Sequence, residues 1–317
     1  MPAMLNQRNR HMPFSASRTL LVAVLWLCVS WAGAQDAVAV LKAASVNAPD
    51  AVSSAPANEQ AFEFTRNLIF FPAVIDGREG KFILDTGAPT LLLNSRGNVT
   101  GQPATTGLAA GGTVALTNQR VASFEMSGRS LGKRWALALD LRGMEARTGE
   151  TIDGFVGHDL LRNGEVRINY PGRKFQLLKS VRNPRHEGRA PVRELKFEYV
   201  DHLPVITLRV GKRKLRFAID TGAGVNLIDP AFVGLYQPTG EEMNIQGLDG
   251  ANANHKVVRF SANPLTGTNR TDVTCVAMDL SHLQSPGEST IAGILGSDFL
   301  SDYVVGVDYR RRKIYLW

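Results

Sequence analysis

Short apolar runs alternate with turn-forming residues along most of the chain beyond about residue 60. Examples are Ala73-Val-Ile-Asp-Gly77 and Pro204-Val-Ile-Thr-Leu-Arg-Val-Gly211. Runs of this length, punctuated by Gly, Asn and Pro, are typical of antiparallel strands joined by turns. The pattern therefore predicts an all-β fold. Few long helices are expected, and short ones are predicted after Gly157 and Gly296, where His-Asp-Leu-Leu-Arg and Ser-Asp-Phe-Leu-Ser carry helix-starting residues.

One four-residue turn occurs twice. Asp-Thr-Gly-Ala stands at Asp85–Ala88, here called turn 1, and again at Asp220–Ala223, turn 2. Both turns follow an apolar run, Lys-Phe-Ile-Leu before the first and Arg-Phe-Ala-Ile before the second, and both precede another, Leu-Leu-Leu-Asn and Asn-Leu-Ile-Asp. A single copy is a weak signal, but a pair with matching surroundings indicates an internal duplication.

A second matched pair of segments lies downstream. Gly154-Phe-Val-Gly157 corresponds to Gly293-Ile-Leu-Gly296, and a tyrosine follows the second glycine at the same distance, 170 − 157 = 13 and 309 − 296 = 13. The step from the turn aspartate to the second glycine is 157 − 85 = 72 residues in one copy and 296 − 220 = 76 in the other. Each copy therefore has about the size of a small domain.

Two carboxylates on matched turns predict one shared acid–base site. Neighbouring carboxylates cannot both ionise readily, so Asp85 and Asp220 should share a proton. The ionised group can act as a base toward water while the protonated group donates to a carbonyl oxygen.

The other turn residues are expected to support this pair. Thr86 and Thr221 should place hydroxyls beneath it and join the turns, and Gly87 and Gly222 should allow close approach of the backbone. A serine after the glycine would offer the carboxylates another donor. Its replacement by alanine in both turns, Ala88 and Ala223, predicts a less acidic working range.

These turns, with Phe155-Val156-Gly157 and Ile294-Leu295-Gly296, resemble those of the retropepsin-like aspartic proteases over about residues 62–317. The resemblance implies an all-β fold of two pseudo-two-fold-related acid-protease barrel lobes, with the two hydrophobic-hydrophobic-Gly segments beneath the turns. It implies Asp85 and Asp220 as the catalytic pair, no cofactor or metal, and a peptide or protein substrate. Because both halves lie in one chain, as in a pepsin, it also implies a monomer.

The chain departs from the pepsins in its flaps. Pepsin-like enzymes carry a tyrosine on the flap of the first lobe, whereas no tyrosine lies between Asp85 and Tyr170. By similarity, we expect the flaps near Gly107 to Gln119 and near Gly247 to His255.

The first 34 residues have the features of a signal peptide. Three arginines precede the apolar stretch Leu20–Trp31, and Ala32-Gly-Ala34 supplies small residues for cleavage. A secreted or periplasmic protein is predicted. A retained anchor is less favoured because the apolar run is shorter than the roughly 20 residues of a membrane span. A lipoprotein linkage at Cys28 is less favoured because bulky residues precede it.

The remaining boundaries follow from composition. Residues 35–60 are rich in Ala, Ser, Val and Pro and predict a flexible linker or a propeptide. The N-terminal lobe is expected at 61–180, an inter-lobe linker at 181–190 and the C-terminal lobe at 191–317.

Other chemistries are disfavoured by composition. The net charge of +7 falls to 7 − 3 = +4 without the signal-peptide arginines, and no nucleic-acid-binding motif accompanies it. The six histidines show no metal-ligand spacing, and no nucleophile elbow, phosphate loop or dinucleotide motif occurs. Cys275 is predicted to be a buried apolar residue, His158 a surface or helix-cap residue, and Asp159 and Asp298 helix caps.

The sequence therefore predicts an exported aspartic endopeptidase. The main alternative is a non-catalytic protein that binds peptides in the same cleft by strand addition. A purely structural β-domain of the cell envelope, in which the two turns only end strands, is a further alternative. Two matched aspartates favour catalysis, because peptide binding alone does not need two adjacent carboxylates.

Overall fold

The computed structural model describes residues 29–30, 59–98, 105–109, 112–210, 212–246, 252–261, 272–284 and 290–317. Strands dominate this part of the chain, which confirms the predicted all-β class. The strands are β1 (Val29–Ser30), β2 (Glu59–Ala61), β3 (Glu63–Thr65), β4 (Leu68–Ile75), β5 (Arg78–Leu84), β6 (Leu92–Asn94), β7 (Thr105–Ala109), β8 (Gly112–Val121), β9 (Phe124–Met126), β10 (Arg129–Ser130), β11 (Arg134–Leu139), β12 (Gly154–Val156), β13 (Glu165–Asn169), β14 (Lys174–Leu178), β15 (Arg193–Val200), β16 (Leu203–Val210), β17 (Arg213–Ile219), β18 (Leu227–Ile228), β19 (Gln237–Gln246), β20 (Asn252–Ser261), β21 (Asp272–Ala277), β22 (Ile291–Leu295), β23 (Val304–Asp308) and β24 (Lys313–Leu316).

Helices are few and short. They are α1 (Arg142–Thr148), α2 (His158–Leu161), α3 (Ser297–Leu300) and the 3-10 helices Pro230–Leu235 and Ser281–Leu283. The helices predicted after Gly157 and Gly296 are confirmed as α2 and α3. Over the described ranges, no helix has the length and apolar character needed to cross a membrane.

The strands form two large sheets. The first contains ten strands in the order β10-β9-β4-β5-β12-β6-β11-β8-β7, with β3 paired to β4. The second contains fourteen, in the order β1-β19-β20-β21-β18-β22-β17-β16-β15-β24-β23-β13-β14-β2. Neither closes on itself among the described strands, so the barrel form expected for each lobe is not seen. The predicted pseudo-two-fold relation between lobes stays a prediction.

The two turns lie in equivalent surroundings. In the first sheet β12 lies between β5 and β6, parallel to β5 and antiparallel to β6. In the second, β22 lies between β17 and β18 with the same two orientations. Turn 1 follows β5, and turn 2 follows β17. Each turn therefore lies beside the glycine that directly follows the neighbouring strand, Gly157 after β12 and Gly296 after β22.

The two halves of the chain are joined through β13 and β23. These strands pair antiparallel, with Arg167 opposite Gly306, and each also pairs with the strand that follows it. β2 extends the same sheet by pairing with β14, so Glu59 and Gln60 belong to a strand although the predicted linker included them. Within the predicted inter-lobe linker, residues 181–190, the structure has a single isolated bridge, between His186 and Arg189.

β1 falls inside the predicted signal peptide. It pairs antiparallel with β19, Val29 opposite Ile245. Cleavage at the predicted site, before Gln35, would remove this strand, so the pairing exists only in the uncleaved chain.

Matched phenylalanines anchor the strands that lead into the turns. Phe82 lies three residues before Asp85 and Phe217 three before Asp220, and both are fully buried. Phe82 packs edge-to-face on Phe124, with ring centroids 5.2 Å apart, and Phe217 stacks on Phe260 at 5.7 Å. Burying a phenylalanine contributes about 1.5–3 kcal/mol, so each turn is held by the core. The predicted burial of Cys275 is also confirmed.

The close contact between each glycine and its turn gives a stability prediction. A Cβ on Gly296 would lie 2.4 Å from the carbonyl oxygen of Ala223, although its φ of −95° suits any residue. Gly296→Ala should therefore lower the free energy of unfolding by about 1–3 kcal/mol or more through overpacking. Gly234→Ala is the matched control, because a Cβ there would meet nothing within 4 Å. Urea unfolding of both variants measures the difference, and equal stabilities would contradict the packing described here.

Candidate active site

Turn 1 is held between its own strand and the segment that ends at Gly157. The N–H of Asp85 donates to the carbonyl of Val156 (3.1 Å), and the N–H of His158 donates to the carbonyl of Ala88 (2.8 Å). A Cβ on Gly157 would lie 2.5 Å from the carbonyl oxygen of Ala88, so only glycine fits there without rearrangement. Both ends of the turn are thereby fixed.

Turn 2 has the same supports. The N–H of Asp220 donates to the carbonyl of Leu295 (3.1 Å), and the N–H of Ser297 donates to the carbonyl of Ala223 (2.7 Å). The hydrophobic-hydrophobic-Gly segments thus lie against both turns, as the family resemblance implied.

The two threonines hold the turns together. The N–H of Thr86 donates to Oγ1 of Thr221 (3.1 Å), and the N–H of Thr221 donates to Oγ1 of Thr86 (3.0 Å). Each hydroxyl then donates to a strand carbonyl across the junction, Thr86 to Ile219 (3.2 Å) and Thr221 to Leu84 (2.8 Å). All four hydrogen bonds are buried. The predicted placement of these hydroxyls is therefore what the structure has.

The glycines of the turns leave room for the carboxyl group of the opposite turn. A Cβ on Gly87 would lie 2.4 Å from a carboxyl oxygen of Asp220, and one on Gly222 would lie 2.4 Å from the carboxyl carbon of Asp85. A contact this short is not tolerated, so both positions need glycine for the carboxyl groups to meet.

The carboxyl groups of Asp85 and Asp220 meet in a closed pocket of backbone donors. The two residues are 0% and 1% exposed, and each carboxyl group affects the pKa of the other. Oδ1 of Asp85 accepts from the N–H groups of Gly87 (2.8 Å) and Ala88 (2.9 Å), and Oδ1 of Asp220 accepts from Gly222 (2.8 Å). In the described structure, Oδ2 of each aspartate has no protein donor. One proton shared by the pair supplies that donor.

Burial sets the ionisation of this pair. It raises the pKa of Asp85 well above the ordinary aspartate value, and the negative charge of Asp220 raises it further. Burial also raises the pKa of Asp220, to about 6, against the opposing effect of the Gly222 N–H. Since a buried pair of like charges is unfavourable, the pair holds one proton in the weakly acidic range.

Matched tyrosines form a layer under the turns and cross between the two halves of the chain. The hydroxyl of Tyr170 is hydrogen-bonded to Oγ of Ser297 (3.2 Å), and the ring of Tyr309 packs against His158 with centroids 5.3 Å apart. The surface or helix-cap role predicted for His158 is wrong, because its ring packs against Tyr199, Tyr309 and His202. Comparison with its sequence counterpart, Ser297, could not show that a tyrosine from the other half occupies this space.

Two further polar residues reach the turns, and the sequence analysis missed them. Nδ2 of Asn67 donates to the carbonyl of Gly224 (2.9 Å), and Nε2 of His202 lies 2.6 Å from the carbonyl oxygen of Gly87. Each belongs to the half of the chain opposite the turn it contacts. Their spacing to the turns is equal, 85 − 67 = 18 and 220 − 202 = 18. That equal spacing is the sequence signal that could have identified them.

The helix-cap role predicted for Asp159 and Asp298 is also wrong. The N-cap positions of α2 and α3 are glycines, and neither helix has a side-chain cap. Asp159 lies 3.7 Å from a guanidinium nitrogen of Arg134, and Asp298 accepts from Nδ2 of Asn226 (2.8 Å). These carboxylates therefore brace the strands around the turns.

Both predicted flap segments fall on β-hairpins. Gly107 to Gln119 lies in the β7–β8 hairpin, and Gly247 to His255 lies at the end of the β19–β20 hairpin. Residues 110–111 and 247–251, at the two tips, lie outside the described residues. Whether the hairpins act as flaps stays a prediction.

A family model described as aspartyl protease matches residues 206–299. The matched segment contains turn 2 and Gly296, and it begins well after turn 1. It confirms the predicted resemblance to the retropepsin-like aspartyl proteases for the segment it covers, and it supports an enzyme of the aspartic protease type. No curated protein matches the chain. Among the described residues, no group of three or more His, Cys, Asp or Glu side chains is placed to hold a metal ion.

The threonine contacts predict a large effect from a small substitution. Thr86→Val keeps the shape of the side chain but leaves the buried N–H of Thr221 without its acceptor, which should lower the free energy of unfolding by about 1–3 kcal/mol. Thr86→Ser is the matched control, since it keeps the hydroxyl. Urea unfolding compares the two. Equal losses in both variants would mean that the methyl group, rather than the hydrogen bonds, stabilises this junction.

The raised pKa values predict how stability depends on pH. The pKa values of both aspartates are higher in the native state than in the unfolded state, where they are about 4. Because the native state therefore binds more protons, the free energy of unfolding should fall as pH rises from about 4 through about 6 and above. Asp85→Asn and Asp220→Asn should each reduce this fall and stabilise the protein at neutral pH. Unfolding curves at several pH values measure it, and an unchanged pH dependence in both variants would contradict the burial of an ionisable pair.

Proposed function

We propose that the protein is an exported aspartic endopeptidase that hydrolyses peptide bonds with a water molecule activated between Asp85 and Asp220. One observation carries the proposal: two buried carboxyl groups, on turns held together by reciprocal hydrogen bonds, lie against each other, and burial raises the pKa of both. A structural role alone gives no reason for two facing acids in the core, because the pair is costly to bury.

The mechanism needs only the pair and a water molecule. The ionised carboxylate accepts a proton from the water, and the water oxygen attacks the peptide carbonyl carbon. At the same time the protonated carboxyl donates its proton to the carbonyl oxygen. The tetrahedral intermediate is a gem-diol. Its collapse breaks the carbon–nitrogen bond as the carboxyl that took the water proton donates it to the leaving nitrogen, and a hydroxyl of the intermediate gives its proton to the other carboxylate, which leaves the pair with one proton again. No covalent enzyme intermediate, metal or cofactor is part of this route.

We propose that the site lies between two lobes, residues 61–180 and 191–317, joined by the linker 181–190 and related by an approximate two-fold axis. The reciprocal threonine contacts and the equal spacing of Asn67 and His202 support this arrangement. Because one chain supplies both aspartates, the active form is a monomer. Thr86, Gly87, Ala88, Thr221, Gly222 and Ala223 support the pair without taking part in proton transfer.

The substrate is proposed to be an extended peptide bound beneath the β7–β8 and β19–β20 hairpins by main-chain hydrogen bonds. Cleavage of the signal peptide, residues 1–34, would release the protein to the periplasm or the medium. Residues 35–60 then act as a linker or as a propeptide.

The test compares cleavage and binding of a mixed peptide library, with products read by mass spectrometry across about pH 3 to 8, a span that brackets the titration of carboxylate pairs. Asp85→Asn and Asp220→Asn should each lower turnover by several orders of magnitude while peptide binding is kept, since binding rests on main-chain contacts. Asp298→Asn is the matched control: Asp298 also has a sequence counterpart in the other half, Asp159, but lies outside the dyad, so the variant should retain activity.

The wild-type profile provides a second readout in the same assay. Two apparent pKa values belonging to the pair should give a bell-shaped dependence of the rate on pH, unaffected by chelators. Binding without cleavage at every pH would support the non-catalytic peptide-binding alternative. Full activity of Asp220→Asn would show that the second aspartate is structural.

A further inference from the structure

His202 lies in the tight turn between β15 and β16 and is 7% exposed. Its Nε2 lies 2.6 Å from the carbonyl oxygen of Gly87. Because a carbonyl oxygen only accepts, the histidine must carry a hydrogen on Nε2 at this contact. The ring is therefore fixed in one tautomer as a hydrogen-bond donor to turn 1.

The contact leads directly to Asp85. The carbonyl of Gly87 and the N–H of Ala88 belong to one peptide group, and that N–H donates to Oδ1 of Asp85 at 2.9 Å. A hydrogen bond accepted by a peptide carbonyl polarises the group and strengthens the bond donated by its N–H. His202, the peptide and Asp85 thus form a continuous chain of donors and acceptors.

This series of hydrogen bonds is present only in the half of the site that contains turn 1. The matched residue in the other half, Asn67, contacts the carbonyl of Gly224, two residues beyond Gly222. It therefore does not polarise the peptide that would correspond to Gly87–Ala88 in turn 2. Turn 1 also has no hydroxyl after its glycine, because Ala88 stands there. A hydroxyl there would stabilise the carboxylate by donating to it directly, whereas His202 acts through the peptide by donating to its carbonyl oxygen.

Burial favours the neutral form of His202, and two neighbouring groups oppose it. His158 lies 6.4 Å away between ring centroids, and Asp201 is the adjacent residue in the turn. Burial lowers the pKa of His202, against the opposing effects of the Gly87 carbonyl and Asp201. His158, itself flanked by Tyr199, Tyr309 and Arg162, has its pKa lowered to about 4, first by burial and then by His202 and Arg162. Nε2 of His202 carries a hydrogen both in this neutral tautomer and in the protonated ring, so it donates to the Gly87 carbonyl in either state.

We propose that His202 is a positioning residue for Asp85, which it orients and whose anion it stabilises through the Gly87–Ala88 peptide. The catalytic part of this role rests on the proposed function, whereas the electrostatic part does not. The role makes the two aspartates inequivalent although the turns that carry them have the same sequence.

The test uses two substitutions. His202→Gln keeps a donor near the position of Nε2 without the imidazole, and His202→Phe keeps the ring volume without any donor. The first measurement needs no activity: the carboxyl carbons of both aspartates are titrated by carbon-13 NMR in the wild type and in each variant. Loss of the donor should raise the apparent pKa at which Asp85 ionises by about half a unit, because its anion is less stabilised. His202→Gln should remain close to the wild type.

The second measurement is the pH dependence of peptide cleavage. In His202→Phe the limb of the kcat profile that is set by the ionisation of Asp85 should move to higher pH by the same half unit, about a threefold change of rate on that limb, with KM unchanged. His202→Gln should restore it. A purely structural role would lower stability or activity at all pH values and leave the position of the limb unaltered.

The outcomes separate this inference from the proposed function. A shifted NMR titration in a protein that cleaves nothing would support His202 and overturn the protease. Normal cleavage with an unshifted pair in His202→Phe would overturn the role of His202 alone. If His202→Phe does not fold, nitrogen-15 NMR of the wild-type ring decides: a hydrogen on Nε2 at neutral pH supports the proposal, and a ring protonated only on Nδ1 contradicts it.

Discussion

The reciprocal hydrogen bonds between Thr86 and Thr221 are the constraint on which the rest of the site depends. Each turn is buried with a backbone N–H that needs an acceptor, and each finds it only on the other turn. The turns can therefore be buried only together and in one relative position. That position brings Gly87 against the carboxyl group of Asp220 and Gly222 against that of Asp85. The spacing of the two carboxyl groups is thus fixed by the hydrogen bonds that the buried backbone N–H groups require, rather than by attraction between the aspartates.

Burying the two aspartates opposes folding, and the same burial raises their pKa values, which suits them to acid–base chemistry. Two like charges in a closed, apolar environment are unfavourable, so the pair keeps a proton that ordinary aspartates release near pH 4. The phenylalanines at the strand ends and the threonine contacts supply stability that offsets this burial. The polar surroundings are nevertheless unequal: His202 contacts the Gly87–Ala88 peptide, whose N–H donates to Asp85, whereas Asn67 contacts Gly224, the residue after turn 2.

The sequence was sufficient for the β-rich class, the two short helices and the threonine and glycine roles. All of these follow from local pattern or from the repetition of a short motif. The sequence was insufficient to predict the contacts of four residues, because their partners come from distant elements. These residues are His158, Asp159, Asp298 and His202. His158 was compared with its counterpart Ser297, but its environment is decided by Tyr309 and His202. The regularity that does reach across the fold, 18 residues from Asn67 and from His202 to the aspartates, is present in the sequence, and only the contacts give it meaning.

The central claim is that Asp85 and Asp220 form one unit that carries a single proton. Neutron diffraction from deuterium-exchanged crystals grown just above pH 6, where Asp220 is ionised while burial and the charge of Asp220 keep the proton on Asp85, measures this directly. The account predicts one deuterium between the two carboxyl groups and a second on Nε2 of His202. Two ionised carboxylates with no deuterium between them, or two separately protonated acids, would contradict it.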